Sequence, residues 1–117
     1  MNSFQKFGLV IPTLNEAENI PTLLDRVGNV SSAFALNYEL VVVDDDSRDG
    51  TQEIVGKYAE TDARIRLLVR RGQRGLAGAV IHGWQHTNAD LLGVNGCRPA
   101  THSRVTATFD GRSARGL

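Results

Sequence analysis

The amino-acid sequence predicts an α/β fold: a Rossmann-like parallel sheet with helices on both faces. Three observations lead there. Four short segments are apolar along their whole length rather than at alternate residues, which is how strands buried on both faces read. Segments of helical period separate them in the order β-α-β-α-β-α-β, a pattern that makes parallel strands joined by right-handed crossovers. Finally, the stretches after the first three strands, PTLNE, DDDSRDGT and RRGQRG, are polar, charged or glycine-rich. They fall at the carboxyl ends of the strands, where open α/β sheets bind ligands.

Each element has its own signal. FGLVIP (Phe7–Pro12) is an apolar run stopped by proline. In the following segment Asn15 and Glu18 have capping-box spacing, and Pro21 falls where a first helical turn tolerates it. Ile20, Leu23, Leu24 and Val27 recur at helical spacing. YELVVVDDD (Tyr38–Asp46) is apolar on both faces until its acids begin. In SRDGTQEIVGKYAE, Asp49 with Gln52 is a second candidate cap, and Ile54, Val55, Tyr58 and Ala59 make the apolar face of a second helix. IRLLVR (Ile65–Arg70) is the third strand. A glycine-rich loop then enters a third helix, and ADLLGV (Ala89–Val94) is the fourth strand.

The chain has 117 residues, enough for one small domain or part of a larger one, and its 41% hydrophobic content is that of a globular protein. Net charge is zero, which gives no overall attraction to nucleic acid. The charge is nevertheless divided: residues 1–62 carry four basic and eleven acidic side chains, net −7, and residues 63–117 carry nine arginines and two aspartates, net +7. An acidic and a basic cluster on one domain suit a metal and a polyanion. Cys97 is the only cysteine, which excludes an intrachain disulfide and agrees with a reducing, cytoplasmic setting. The N-terminus lacks the apolar stretch of a signal peptide, and no segment has the apolar length of a membrane span.

The chemistry-bearing residues lie at the strand ends. Asp44, Asp45 and Asp46 are three adjacent carboxylates, which repel one another unless each finds a partner. They suit a divalent cation or the hydroxyls and base N–H groups of a ligand, or equally a solvated capping loop. Arg70, Arg71 and Arg74, interleaved with Gly72, Gly75 and Gly78, offer guanidinium forks and backbone N–H groups to a diphosphate. No GK[ST] follows, so this is not a Walker loop. His82 and His86 have metal-ligand spacing, but HGWQH lacks the glutamate of a zinc-protease helix, and they read as ordinary core or surface residues.

VIPTLNEAENIPTLL, YELVVVDDDSRDGT and RGLAGAVIHGW, in this order, resemble the N-terminal half of a family-2 glycosyltransferase, and within that family the dolichyl-phosphate (polyprenyl-phosphate) mannosyltransferases. The resemblance runs from about Phe7 to Val94. It implies a GT-A fold, a nucleotide-sugar donor (GDP-mannose, with UDP-glucose open), Mg²⁺ or Mn²⁺, and a polyprenyl or dolichyl phosphate acceptor at the cytosolic membrane face. By the same resemblance Pro12, Leu14 and Glu16 line the nucleotide pocket, Val42 and Asp44 contact base and ribose, and Arg74 lies close to the diphosphate. Two positions depart from the pattern. Leu14 stands where the family often has an aromatic residue, and Arg48 where it usually has proline.

After its fourth strand the family carries a metal-binding DxD motif, often MDADLQHPPE. This chain reads NGCRPATHSR. The shifted frame that begins at the second base of codon 95 permits MDADLQHTPELL. Residues 95–117 also contain four arginines, no lysine or glutamate and no amphipathic period. They are expected to be an out-of-frame, disordered tail following a nucleotide-sugar-binding part at 1–94. On that expectation the metal motif is lost, the fragment is inactive, and the fourth strand is left as a sheet edge. Two other classes compete: a phosphoacceptor signalling domain, whose acidic pair would follow the first strand, and a non-catalytic nucleotide-binding module.

Overall fold

The computed structural model describes residues 6–34, 37–73 and 75–96, and the backbone of 107–110. Its elements are β1 (Phe7–Thr13), α1 (Ile20–Ala33), β2 (Tyr38–Asp44), α2 (Thr51–Thr61), β3 (Ile65–Val69), α3 (Leu76–Gln85), β4 (Leu91–Val94) and β5 (Ala107–Asp110). The sheet order is β3-β2-β1-β4-β5. The first four strands are parallel, and β5 runs antiparallel to β4. The parallel α/β architecture is the expected one.

The strands read as continuous apolar runs because both faces are covered. Leu9, Ile11, Leu40 and Val42 point to one face, where Ile20 and Leu24 of α1 and Val55 of α2 meet them. Val10, Val41 and Val43 point to the other, under Ala79 of α3. Successive residues of a strand therefore serve two separate cores. Each fully buried Val, Leu or Ile contributes about 1.5–3 kcal/mol relative to exposure. Gly83 lets α3 approach closely: a Cβ there would lie 2.8 Å from both Val10 methyls and 3.0 Å from a Val43 methyl.

Two local expectations are corrected. The Asn15–Glu18 capping box does not form. Asn15 sits in the left-handed region at φ 55°, and α1 begins five residues later, with Pro21 in its first turn as expected. Gln52 does not help cap α2 either, because its amide reaches back to Asp44. Asp49 is not the cap residue either: Gly50 holds that position with no side-chain cap bond, and Asp49, just before it, accepts from the backbone N–H of Thr51 at 3.1 Å and from its hydroxyl. A third difference concerns the edge. The last residues were expected to leave β4 uncovered, whereas Leu91–Val94 pairs with Ala107–Asp110.

Chain order places the first three strands outward on one side of β1, and β4 returns to its other side. The switch point is thus between β1 and β4. The backbone N–H of Asn95 donates to the Val10 carbonyl at 3.1 Å, so the residue after β4 emerges beside the PTLNE loop.

Candidate functional site

Three loops meet at the carboxyl edge of the sheet: residues 14–19 after β1, 45–50 after β2, and 70–73 with 75 after β3. Small polar side chains fasten the first two together. Asn15 N–H donates to Ser47 Oγ at 2.7 Å, and Arg48 N–H donates to Asn15 Oδ1 at 2.9 Å. Glu16 N–H donates to Thr51 Oγ1 at 3.0 Å, and Ala17 N–H to Asp49 Oδ2 at 3.0 Å. The backbone also continues the ladder, with Asp45 N–H on the Thr13 carbonyl and Arg70 N–H on that of Asp44.

The three aspartates have three different environments. Asp44 is fully buried and accepts four hydrogen bonds: from Thr13 Oγ1 (2.6 Å), Ser47 Oγ (2.6 Å), Ser47 N–H (2.7 Å) and Gln52 Nε2 (2.9 Å). A carboxylate has about four lone-pair sites, and here protein donors use them. Asp45 is buried with Arg70, whose Nε and Nη2 donate to its two oxygens at 2.8 and 3.1 Å. It also accepts from Gly75 N–H at the entry to α3. The pairing raises the Arg70 pKa further, and the guanidinium fills the space beside Gly78, where a Cβ would lie 2.8 Å from Nη1. Asp46 is at the surface. Its φ is 63°, and its carboxylate lies between Arg71 Nη1 at 2.7 Å and Arg48 Nη2 at 3.2 Å.

The expected site residues therefore divide. Pro12 is half-buried near the end of β1, Leu14 is half-buried in the first loop, and Glu16 is buried within that loop. Asn19 Nδ2 donates to Glu16 Oε1 at 3.3 Å. Val42 has no exposed surface and packs in the core beneath α1 and α2. Asp44 lies at this edge as expected, but with its acceptors occupied from within. Arg74 lies outside the described residues. Of the other arginines expected to face an anion, Arg70 is taken inward by Asp45 and Arg71 remains at the surface. Sequence reading did not identify Thr13, Ser47 and Gln52 as the residues that hold Asp44. Their signal was weak: small polar residues within eight positions of the strand end, or on the neighbouring strand.

Among the described residues, no group of three or more His, Cys, Asp or Glu side chains is placed to hold a metal ion. The donor sets explain it. Asp44 is filled by neutral donors, and Asp45 and Asp46 are paired with guanidinium groups, so these three residues do not fit the divalent cation that their clustering suited. The His82 and His86 rings lie 4.3 Å apart between centroids, tilted 37° to each other.

The model for glycosyl transferase family 2 matches residues 9–95. This chain belongs to that family. The family 2 domain ends its match at Asn95, the first residue of the segment that departs from the family motif. The match removes the phosphoacceptor reading. The chain is 40% identical over 91 residues to a dolichol-phosphate mannosyltransferase of Pyrococcus furiosus, covering 74% of this chain and 24% of that protein. It is 33% identical over 88 residues to the dolichol-phosphate mannosyltransferase of Saccharomyces cerevisiae, covering 74% and 33%. Among solved structures it resembles the mannosyltransferase PcManGT from Pyrobaculum calidifontis in complex with GDP-Man and Mn²⁺. That likeness has TM-score 0.64 and 29% identity, over 80% of this chain and 28% of that one. Glucosyl-3-phosphoglycerate synthase from Mycobacterium tuberculosis, at 18% identity and TM-score 0.61, shares the fold. This family 2 chain thus spans about a quarter to a third of the length of these relatives, and its sheet matches their GT-A glycosyltransferase fold.

Proposed function

We propose that this chain is the donor-nucleotide-binding part of a glycosyltransferase that moves mannose from GDP-mannose to a polyprenyl or dolichyl phosphate at the cytosolic membrane face. The observation that carries the reading is the family match over residues 9–95, which includes all three interlocked loops at the strand ends. The mannosyltransferase relatives favour mannose, and the GDP-Man complex of a structural neighbour favours that donor. UDP-glucose is the competing donor. No helix among the described residues is long and apolar enough to cross a membrane.

The second part of the proposal is that the 117-residue chain does not turn over. Gly96-Cys97-Arg98 stands where the family has Asp-Ala-Asp. Gly has no side chain, a thiol is a poor ligand for a hard cation, and a guanidinium repels one. We attribute the change to a single-nucleotide insertion near codon 95. The end of the family match at residue 95 supports this reading. Sequencing the gene across codon 95 tests it: an uninterrupted frame that is translated through to Leu117 would rule out a sequencing error.

Isothermal titration with GDP and UDP, each with and without Mn²⁺, tests the binding function. Weak binding, stronger for GDP and unchanged by Mn²⁺, is the expected result. Strong Mn²⁺-dependent binding would place a metal site in this chain and refute the division of roles. Deleting one base at codon 95 and reading to the next natural stop should restore metal-dependent binding and sugar transfer together.

A further inference from the structure

The surface of the β2 and β3 loops holds two arginines on one carboxylate, and this arrangement is separate from the buried contacts that maintain the fold. Asp46 Oδ1 accepts from Arg71 Nη1 at 2.7 Å, and Oδ2 accepts from Arg48 Nη2 at 3.2 Å. The arginine side chains are 69% and 80% exposed, whereas that of Asp46 is 21% exposed. Their backbones are nonetheless fixed. Ser47, next to Asp46, is held by Asp44 and Asn15, and the N–H of Arg48 is bonded to Asn15. Arg71 follows Arg70, which Asp45 grips on both oxygens.

Such a cluster contributes little to stability. Exposed ion pairs add little because solvent screens them, and a non-glycine residue at φ 63° carries a backbone cost that offsets part of that gain. Phosphate competes well for such a pair of forks: it offers more oxygens and more charge than one carboxylate, in the geometry guanidinium matches. The site also lies at the carboxyl edge of the parallel sheet, on the β2 and β3 loops to one side of the β1/β4 switch point.

We propose that Arg48 and Arg71 form a phosphate-binding pair and that Asp46 is its internal placeholder, a carboxylate that keeps the forks together and yields them to a phosphate-bearing ligand. The ligand class is an oligophosphate anion, as free pyrophosphate or as the diphosphate of a nucleotide. The inference deepens the donor-binding reading and rests on it for the nucleotide, but not for the anion. It also gives Arg48, the departure from the family's usual proline, a role of its own.

The test is calorimetry or equilibrium dialysis on the 117-residue chain with inorganic pyrophosphate, GDP and guanosine as separate probes, at low and high salt. Asp46→Asn is the informative variant, because asparagine tolerates the left-handed backbone and removes only the charge. Asp62→Asn is its control: it makes the same charge change next to Arg64, at the opposite end of the sheet. Pyrophosphate should bind Asp46→Asn about threefold to fivefold tighter than the parent, and Arg48→Gln weaker by a similar factor, with both differences shrinking in high salt. Asp62→Asn should match the parent. Equal gains from Asp46→Asn and Asp62→Asn would reduce the effect to net charge and overturn the proposal. Weaker binding by Asp46→Asn would overturn it as well, and so would absence of pyrophosphate binding in both parent and variant. The nucleoside arms separate the two readings. Pyrophosphate binding that follows these variants, with GDP no better than pyrophosphate and no guanosine binding, keeps the arginine pair and removes the nucleotide function. GDP binding indifferent to Asp46 and Arg48 does the reverse.

Discussion

Asp44, Asp45 and Asp46 are chemically identical and adjacent, yet they serve different ends because their burial and partners differ. Asp44 is a hub that joins β1, β2, the loop after β2 and α2 through Thr13, Ser47 and Gln52. Replacing it by alanine strands those donors in the interior. Asp44→Ala should therefore cost roughly 2–4 kcal/mol, more than one net hydrogen bond, since unsatisfied buried groups cost about 1–3 kcal/mol each. Asp46→Asn should stay within about 0.5 kcal/mol of the parent, as surface substitutions do. Urea denaturation of the two variants checks both. Similar losses would show that the two carboxylates are equally structural.

At the scale of elements, two glycines in helices illustrate opposite demands. Glycine in a helix interior costs roughly 1 kcal/mol relative to alanine, through backbone entropy. Gly56 of α2 has nothing within 4 Å of where a Cβ would be, so Gly56→Ala should raise stability by about 0.5–1 kcal/mol. Gly83 of α3 faces Val10 and Val43 at 2.8–3.0 Å. Those methyls belong to fully buried side chains with no room to move. Gly83→Ala should cost about 1–3 kcal/mol through overpacking, which outweighs the helix gain. Thermal unfolding of the pair tests whether α3 is seated as closely as the distances require. Gly78 is a third case, because there the obstacle is Arg70. A side chain at that position would press on the pair that holds the α3 entrance to Asp45.

For the whole molecule, the shifted groups set the direction of the pH dependence. The Asp49 pKa is lowered from its ordinary value of 3.8, chiefly by the Thr51 hydroxyl at the start of α2. The Asp62 pKa is lowered chiefly by its hydrogen bond from Arg64. The His82 pKa is lowered from 6.5 by burial first, then by His86 and Arg70. In each case the folded state binds protons less readily than the unfolded state. Stability from these groups is present above the unfolded value and is lost as pH falls through the folded one. Denaturation midpoints should be level between about pH 6.5 and 9, decline modestly as His82 becomes protonated, and fall again below about pH 4; above about pH 9 the raised pKa values of Tyr38 and Tyr58 work in the opposite direction and lower stability as pH rises. In His82→Gln the upper decline should flatten and the lower one remain. An unchanged upper limb would assign that decline to another group.

The order of the first four strands and the three helices was legible in the sequence because it depends on local pattern, whereas β5 had no such pattern and was not foreseen. A strand covered on both faces must be apolar throughout, and FGLVIP and LVVV admit little else. The ligand-facing edge was legible for a related reason: polar residues directly after such strands have no place in the core. The family was legible from motifs carried in order along the chain. The partners of those motif residues were not, because they depend on which loops the sheet brings side by side. Asn15 looked like a helix cap and instead ties the first loop to Ser47 and Arg48. Gln52 looked like part of a cap and instead bonds Asp44. Arg70 looked like one of three anion ligands, but β2 and β3 are neighbours, so Asp45 reaches it first. Sequence spacing describes residues three or four apart on one element. It carries no information on residues some 25 to 33 positions apart until parallel pairing sets them at the same level of the sheet, and there hydrogen-bond distance decides which of three adjacent carboxylates is filled by neutral donors, which is buried against one arginine and which is held near the surface between two.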